Sequence, residues 1–175
     1  MARNYRLWEN AQIVSLLKPA ADAAGRTSTY VSLANGHKAF ILAYITQGNA
    51  ATVALTPLQA QDSAGTNSKG LTAAAPIAVN LDTDTVPSDL LTIVANATSY
   101  TTDAGVKTKL VMFEIDPIES MDLNNTTSLN ASGQQQPFNH IAIQTGASNA
   151  ANITSALLII TPIRFAQLNP PTANV

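Results

Sequence analysis

Gly146-Ala147-Ser148-Asn149-Ala150 comes within one residue of the Gly-x-Ser-x-Gly pattern that presents a serine nucleophile on a sharp strand-to-helix turn. His37 and His140 are the two imidazoles from which such a hydrolase would draw its base. The second glycine is missing, however, and no strand-to-helix unit surrounds the serine. A similar stretch at Gly48 has no serine at all. The segment reads as a hairpin turn, and the chain is expected not to be an enzyme.

Acidic residues offer a second chemistry. Asp82, Asp84 and Asp89 are spaced loosely like a calcium loop, but Pro87 and Ile93 fall where that loop needs glycine and glutamate. Glu114, Asp116, Glu119 and Asp122 form another cluster, with Glu114 and Asp116 on one face of a strand. A surface cation and a solvated acidic rim are the competing readings there. Two separated histidines without cysteine do not make a zinc site. No cofactor is expected. Asn96-Ala97-Thr98, Asn130-Ala131-Ser132 and Asn152-Ile153-Thr154 match glycosylation sequons, as an Asn- and Thr-rich chain does by composition.

The elements around these residues are β-prone. Ala39, Ile41, Ala43 and Ile45 line one side of an apolar run, and Phe40, Leu42 and Tyr44 line the other. A strand with two apolar faces is central in a layered domain or covered by a partner subunit. Asn35-Gly36 before it predicts a tight hairpin with φ > 0 at both turn residues. Gly48-Asn49 predicts a second turn into Thr52 to Thr56, closed by Pro57. Further strands are expected over 77–81, 90–95, 107–115, 138–144 and 153–165. In the third of these, Lys109, Val111, Phe113 and Ile115 alternate with Thr108, Leu110, Met112 and Glu114. The expected fold is all-β: an antiparallel β-sandwich or jelly-roll-like barrel with a short N-terminal helix or arm.

Three segments follow: 1–25 as the arm or helix, 26–166 as one β domain and 167–175 as a tail. Asn10 would cap the helix, and Pro19 and Gly25 would end it. Arg3, Tyr5, Arg6, Leu7 and Trp8 are the candidate partner-binding residues, because Arg and aromatic side chains anchor interfaces. An intramolecular lid is the alternative role for them. Gly48-Asn49-Ala50-Ala51-Thr52-Val53 is echoed by Gly146-Ala147-Ser148-Asn149-Ala150-Ala151-Asn152-Ile153, and each following run ends in Thr-Pro. The echo suggests pseudo-symmetric sheets, with chance recurrence as its rival.

Composition narrows the partners. Charged residues make up 11% of the chain, against about 25% in ordinary soluble domains. A surface of Thr, Ser, Asn and Ala is covered by another protein at little desolvation cost. The net charge is −2 and the basic residues are scattered, so nucleic acid is not an expected partner. No run is long enough for a membrane helix, and Arg3, Arg6 and Glu9 break any signal-peptide core. Synthesis in the cytoplasm as a soluble protein is expected. There is no cysteine, so no disulfide forms.

Taken together, Tyr30-Val31-Ser32-Leu33, His37-Lys38, Gln47-Gly48-Asn49-Ala50-Ala51-Thr52, Leu55-Thr56-Pro57 and Thr145 to Asn152 carry a resemblance. The chain resembles, over about Asn10 to Phe165, small virion structural proteins of tailed bacteriophages, of the capsid decoration (cement) type. That resemblance implies a compact β domain, often a homotrimer, on the outside of the phage head. Its partner would be the major capsid protein, its place the virion's capsid surface, and its role the stabilising of capsomer contacts. A tail, neck or host-recognition component would share the same composition. A carbohydrate-binding β module would want several exposed aromatics, and aromatic content is only 5%.

Overall fold

The computed structural model describes residues 10–34, 36–86, 90–130 and 132–163, with backbone alone at 162 and 163. Twelve strands and one short helix occupy them. These are β1 (Gln12–Ala21), β2 (Arg26–Thr27), β3 (Val31–Ser32), β4 (Gly36–Gln47), β5 (Ala54–Ala60), β6 (Lys69–Gly70) and β7 (Ala75–Asn80). There follow β8 (Thr92–Ala97), β9 (Tyr100–Thr101), β10 (Thr108–Ile115), α1 (Pro117–Ser120), β11 (His140–Thr145) and β12 (Asn152–Ile163). Two antiparallel sheets stack as a sandwich, with no closed barrel. The first sheet runs β1-β12-β4-β10-β7-β8. The second runs β2-β11-β5-β6, with β3 also on β11 and β9 on β5.

Period-two alternation fixes which side chains fill the space between the sheets. Ala39, Ile41, Ala43 and Ile45 of β4 point inward with no exposure, and so do Lys109, Val111, Phe113 and Ile115 of β10. They meet Leu55, Ile141 and Ile143 of the second sheet, with Leu158 of β12 beside them. Each large apolar side chain buried here contributes about 1.5–3 kcal/mol relative to exposure. β4 is twelve residues long and lies between β12 and β10, so it is the central strand.

Several local expectations are overturned. Residues 12–21 form an edge strand, not a helix: β1 pairs antiparallel with β12 of its own sheet, from Gln12↔Ile160 to Ala21↔Ile153. Two register shifts interrupt that ladder, and Pro19 sits inside the second, where a missing N–H is tolerated. The bulges also explain why Ile13, Val14, Leu16 and Leu17 do not alternate like a regular strand.

Asn35-Gly36 does not close a hairpin. β3 belongs to the second sheet and β4 to the first, so the segment is a crossover between layers. The approach at Gly36 is close, because a Cβ there would overlap Ile160 Cγ2. Gly48-Asn49 is likewise a crossover, from β4 to β5. Pro57 does not end β5 but lies within it, opposite Ile143. On its other flank β9 pairs only Ala54 and Leu55 and β6 only Leu58 and Gln59, which leaves a gap at the proline.

Candidate interaction face

The outward side of the first sheet is apolar where an antiparallel sheet ordinarily presents polar residues to water. Leu42 stands opposite Met112 on one neighbour and Leu157 on the other. One step along, Phe40 faces Ile159, and Ile159 in turn faces Ile13 of β1. One step the other way, Tyr44 lies between Leu110 and Ser155. Tyr44 is 47% exposed, Leu157 42% and Ile13 50%. On β4, β10 and β12, Lys38 and Glu114 are the charged groups of this face, and they pair with each other at one end of it.

The outward side of the second sheet is different. Thr56 faces Gln144, Leu58 faces Ala142 and Ala60 faces His140, with Thr27 beside Gln144. Ala60 and Ala142 on this side are fully buried and Leu58 and His140 half-buried, so its exposed part is polar, at Gln144 and Thr27. The first sheet's outward face is thus the more apolar of the two where it is exposed, and exposed apolar patches are where folded chains make interactions.

The ends of the sandwich are tied by polar networks rather than by open sites. The β4–β5 and β11–β12 crossovers lie against each other: Gly48 N donates to Ala151 O, Gly146 N to Ala54 O and Asn49 N to Asn152 Oδ1. Asn49 Oδ1 accepts from Ala51 N, and Asn149 Oδ1 accepts from Ala151 N, both at 2.9 Å. The sequence echo is therefore a repeated Asn-Ala-Ala turn. It stops at the strands, for Val53 is buried while Ile153 is 40% exposed.

Lys109 lies beneath these loops with no exposure. Its ammonium donates to Asp103 Oδ1 at 2.6 Å and to Asp103 O and Gln47 Oε1 at 2.9 Å. The hydrogen bond from Lys109 holds the Asp103 carboxyl below its ordinary pKa. Asp22, also fully buried, accepts from Arg26 Nε and Nη2 and from Thr154 Oγ1. Alternation already put Lys109 on one face with Val111, Phe113 and Ile115. That its charge would be buried with it was not legible, because its partners come from two other segments.

The candidate chemistry does not assemble. Ser148 Oγ donates to Thr52 O at 2.8 Å and accepts from Asn152 Nδ2, while His37 sits at the opposite end of β4. His140 pairs with Asn139, and burial lowers its pKa. Asp82 binds Lys107, Asp84 accepts from Thr108 N, and Asp89 lies outside the described residues. Glu114 binds Lys38, Asp122 binds Lys69, and Asp116 caps α1 through Ile118 N. Among the described residues no group of three or more His, Asp or Glu could hold a metal ion. An apolar pocket of about 240 Å³ opens between Leu33, Gly36, His37, Ile118, Leu123 and Pro137. Arg3, Tyr5, Arg6, Leu7 and Trp8 lie outside the described residues.

No family model and no curated protein matches the sequence. Among solved structures, the chain is similar to the SPBc2 prophage-derived protein YomS. The TM-score is 0.45 at 6% identity, over 87% of this chain and 94% of that one. It is also similar to a Bacteroides thetaiotaomicron protein with a suggested sugar-binding role. There the TM-score is 0.33 at 12% identity, over 78% of this chain and 65% of the other.

Proposed function

We propose that this chain is a structural protein of a tailed-phage virion, of the capsid decoration type, acting by covering and bracing other protein surfaces rather than by catalysis. The observation that carries the reading is the apolar outward face of the first sheet, bordered by a surface poor in charge. Covering such a face with another protein removes apolar surface from water and is favourable. The resemblance in the crossover and strand motifs supplies the setting: a homo-oligomer, a trimer in that family, on the outside of the head and against the major capsid protein.

Immunogold labelling of purified virions of the parent phage, with antibody to this chain, tests the reading. Label distributed over the head surface is the expected result. Label confined to tail or neck would overturn the decoration role and leave a virion protein. Virions free of label would overturn both.

A further inference from the structure

We propose that Phe165, from the chain beyond β12, fills the apolar pocket at one end of its own sandwich, with Arg164 beside it facing the carboxylates at α1. Residues 164–175 lie outside the described residues. The assignment is independent of what covers the first sheet's face and of the virion reading.

The place where the chain leaves the sheet is the first argument. β12 runs antiparallel to β4, and the register ends with Ile163 opposite Gly36, which lines the pocket. Paired strands lie about 4.8 Å apart, and two further residues of about 3.3 Å each carry the chain to Phe165. Leu33, Ile118, Leu123 and Pro137, the apolar walls around that opening, are therefore in its reach.

Size and lining are the second. The pocket is about 240 Å³, and a cavity of about 150 Å³ with apolar walls takes up benzene. Ile118 stands 70% exposed at the rim, on a helix held at its start by Asp116. A phenyl ring laid against it removes apolar surface from water without stranding a polar group.

Charge decides between the two ends of the chain. Around the pocket, Glu114 is paired with Lys38 and Asp122 with Lys69. Asp116 and Glu119 flank Ile118, and among the described residues neither has an ion-pair partner. Counting His37 as neutral, the rim is left net negative. Arg164 is the one charged residue of 164–175, and it directly precedes Phe165. Trp8 offers a ring at the other end of the chain, but its neighbour is Glu9, and β12 separates β1 from β4. A guanidinium brought to this rim is attracted, and a carboxylate is repelled.

Methyl NMR on the full chain reads the contact. Nuclear Overhauser contacts between the Phe165 ring and the Ile118 and Leu123 methyls are expected in the wild type. Phe165→Ala should abolish them and shift both methyl signals, because the ring current is lost, while Trp8→Ala leaves both in place. Phe165→Leu keeps an apolar occupant without a ring and should shift the same signals, so the readout survives if the alanine variant folds poorly. Arg164→Glu should weaken the contacts, and Arg164→Glu with Glu119→Lys should restore them. A wild type without these contacts, or methyl signals that follow Trp8 and not Phe165, overturns the proposal. Contacts found only between differently labelled copies in a mixed sample would also overturn it, since the ring would then come from a second chain.

Discussion

Lys109 Nζ lies 2.9 Å from Gln47 Oε1, with the lysine fully buried and the glutamine 1% exposed. Gln47 Oε1 also accepts from Thr102 Oγ1, while its Nε2 donates to Ala51 O and Asp103 O. One amide thus ties the β4–β5 crossover, the β9–β10 loop and the buried ammonium into a single knot that closes one end of the sandwich.

Lys109→Ala should cost about 3 kcal/mol, since it opens a cavity and strips a partner from a buried acceptor. Lys109→Met, which keeps the volume, should cost about 1–2 kcal/mol. For a chain of this size the alanine variant should melt about 6–12 °C lower. Thermal unfolding followed by circular dichroism checks both. Equal losses for the two variants would mean that volume contributes nothing at this site.

Arg26→Ala should cost about 3–5 kcal/mol, because it leaves the Asp22 carboxylate buried without its cation. Arg26 Nη1 and Nη2 also hold the carbonyls of Lys18, Ala20 and Thr154, so the same change loosens β1. Asp22→Asn combined with Arg26→Met should lose less than the sum of the single changes. Urea unfolding of the four proteins measures the coupling, and strict additivity would show that the two side chains act independently.

Gly36→Ala should cost about 1–3 kcal/mol by forcing a methyl into Ile160 Cγ2. Ile160→Ala removes that atom, so the double variant should be more stable than the two separate losses predict. Were a positive φ the reason for glycine here, truncating Ile160 would recover nothing. The melting temperatures of the four proteins decide.

Asp82 is held at a pKa of about 2, chiefly by the hydrogen bond from Lys107 and then by the one from Thr85. A carboxyl depressed in the folded state contributes stability above its ordinary pKa of 3.8 and loses it as pH falls toward 2. Carboxyl-carbon NMR should show Asp82 titrating near pH 2 in the wild type and closer to its ordinary value in Lys107→Ala. A wild-type midpoint near 4 would contradict the ion pair.

Much of this architecture is written in single residues. The alternation from Thr108 to Ile115 groups Lys109 with Val111, Phe113 and Ile115 on one face of β10, because a strand can point alternate side chains only to opposite sides. The apolar residues on both sides of β4 likewise announce a strand central in a layered domain or covered by a partner subunit, and β4 is central in its sheet. Local pattern carries these because it depends only on the geometry of neighbouring residues.

Pairing partners are another matter. Asn35-Gly36 reads as a hairpin until β3 and β4 are seen in different sheets, and Gly36 then closely approaches Ile160, which is 124 positions away. Residues 12–21 read as part of an arm or short helix because two bulges scramble their alternation, and only the ladder to β12 makes them a strand of this sheet. The candidate face has the same origin. Phe40, Leu42 and Tyr44 become a surface only when Leu110, Met112, Leu157 and Ile159 arrive beside them from strands distant in sequence. Sequence alone determined which residues of β4 and β10 share a face, because side-chain alternation is local. Tertiary structure decided which strands are neighbours, because hydrogen-bond ladders and close contacts join segments that no local spacing relates.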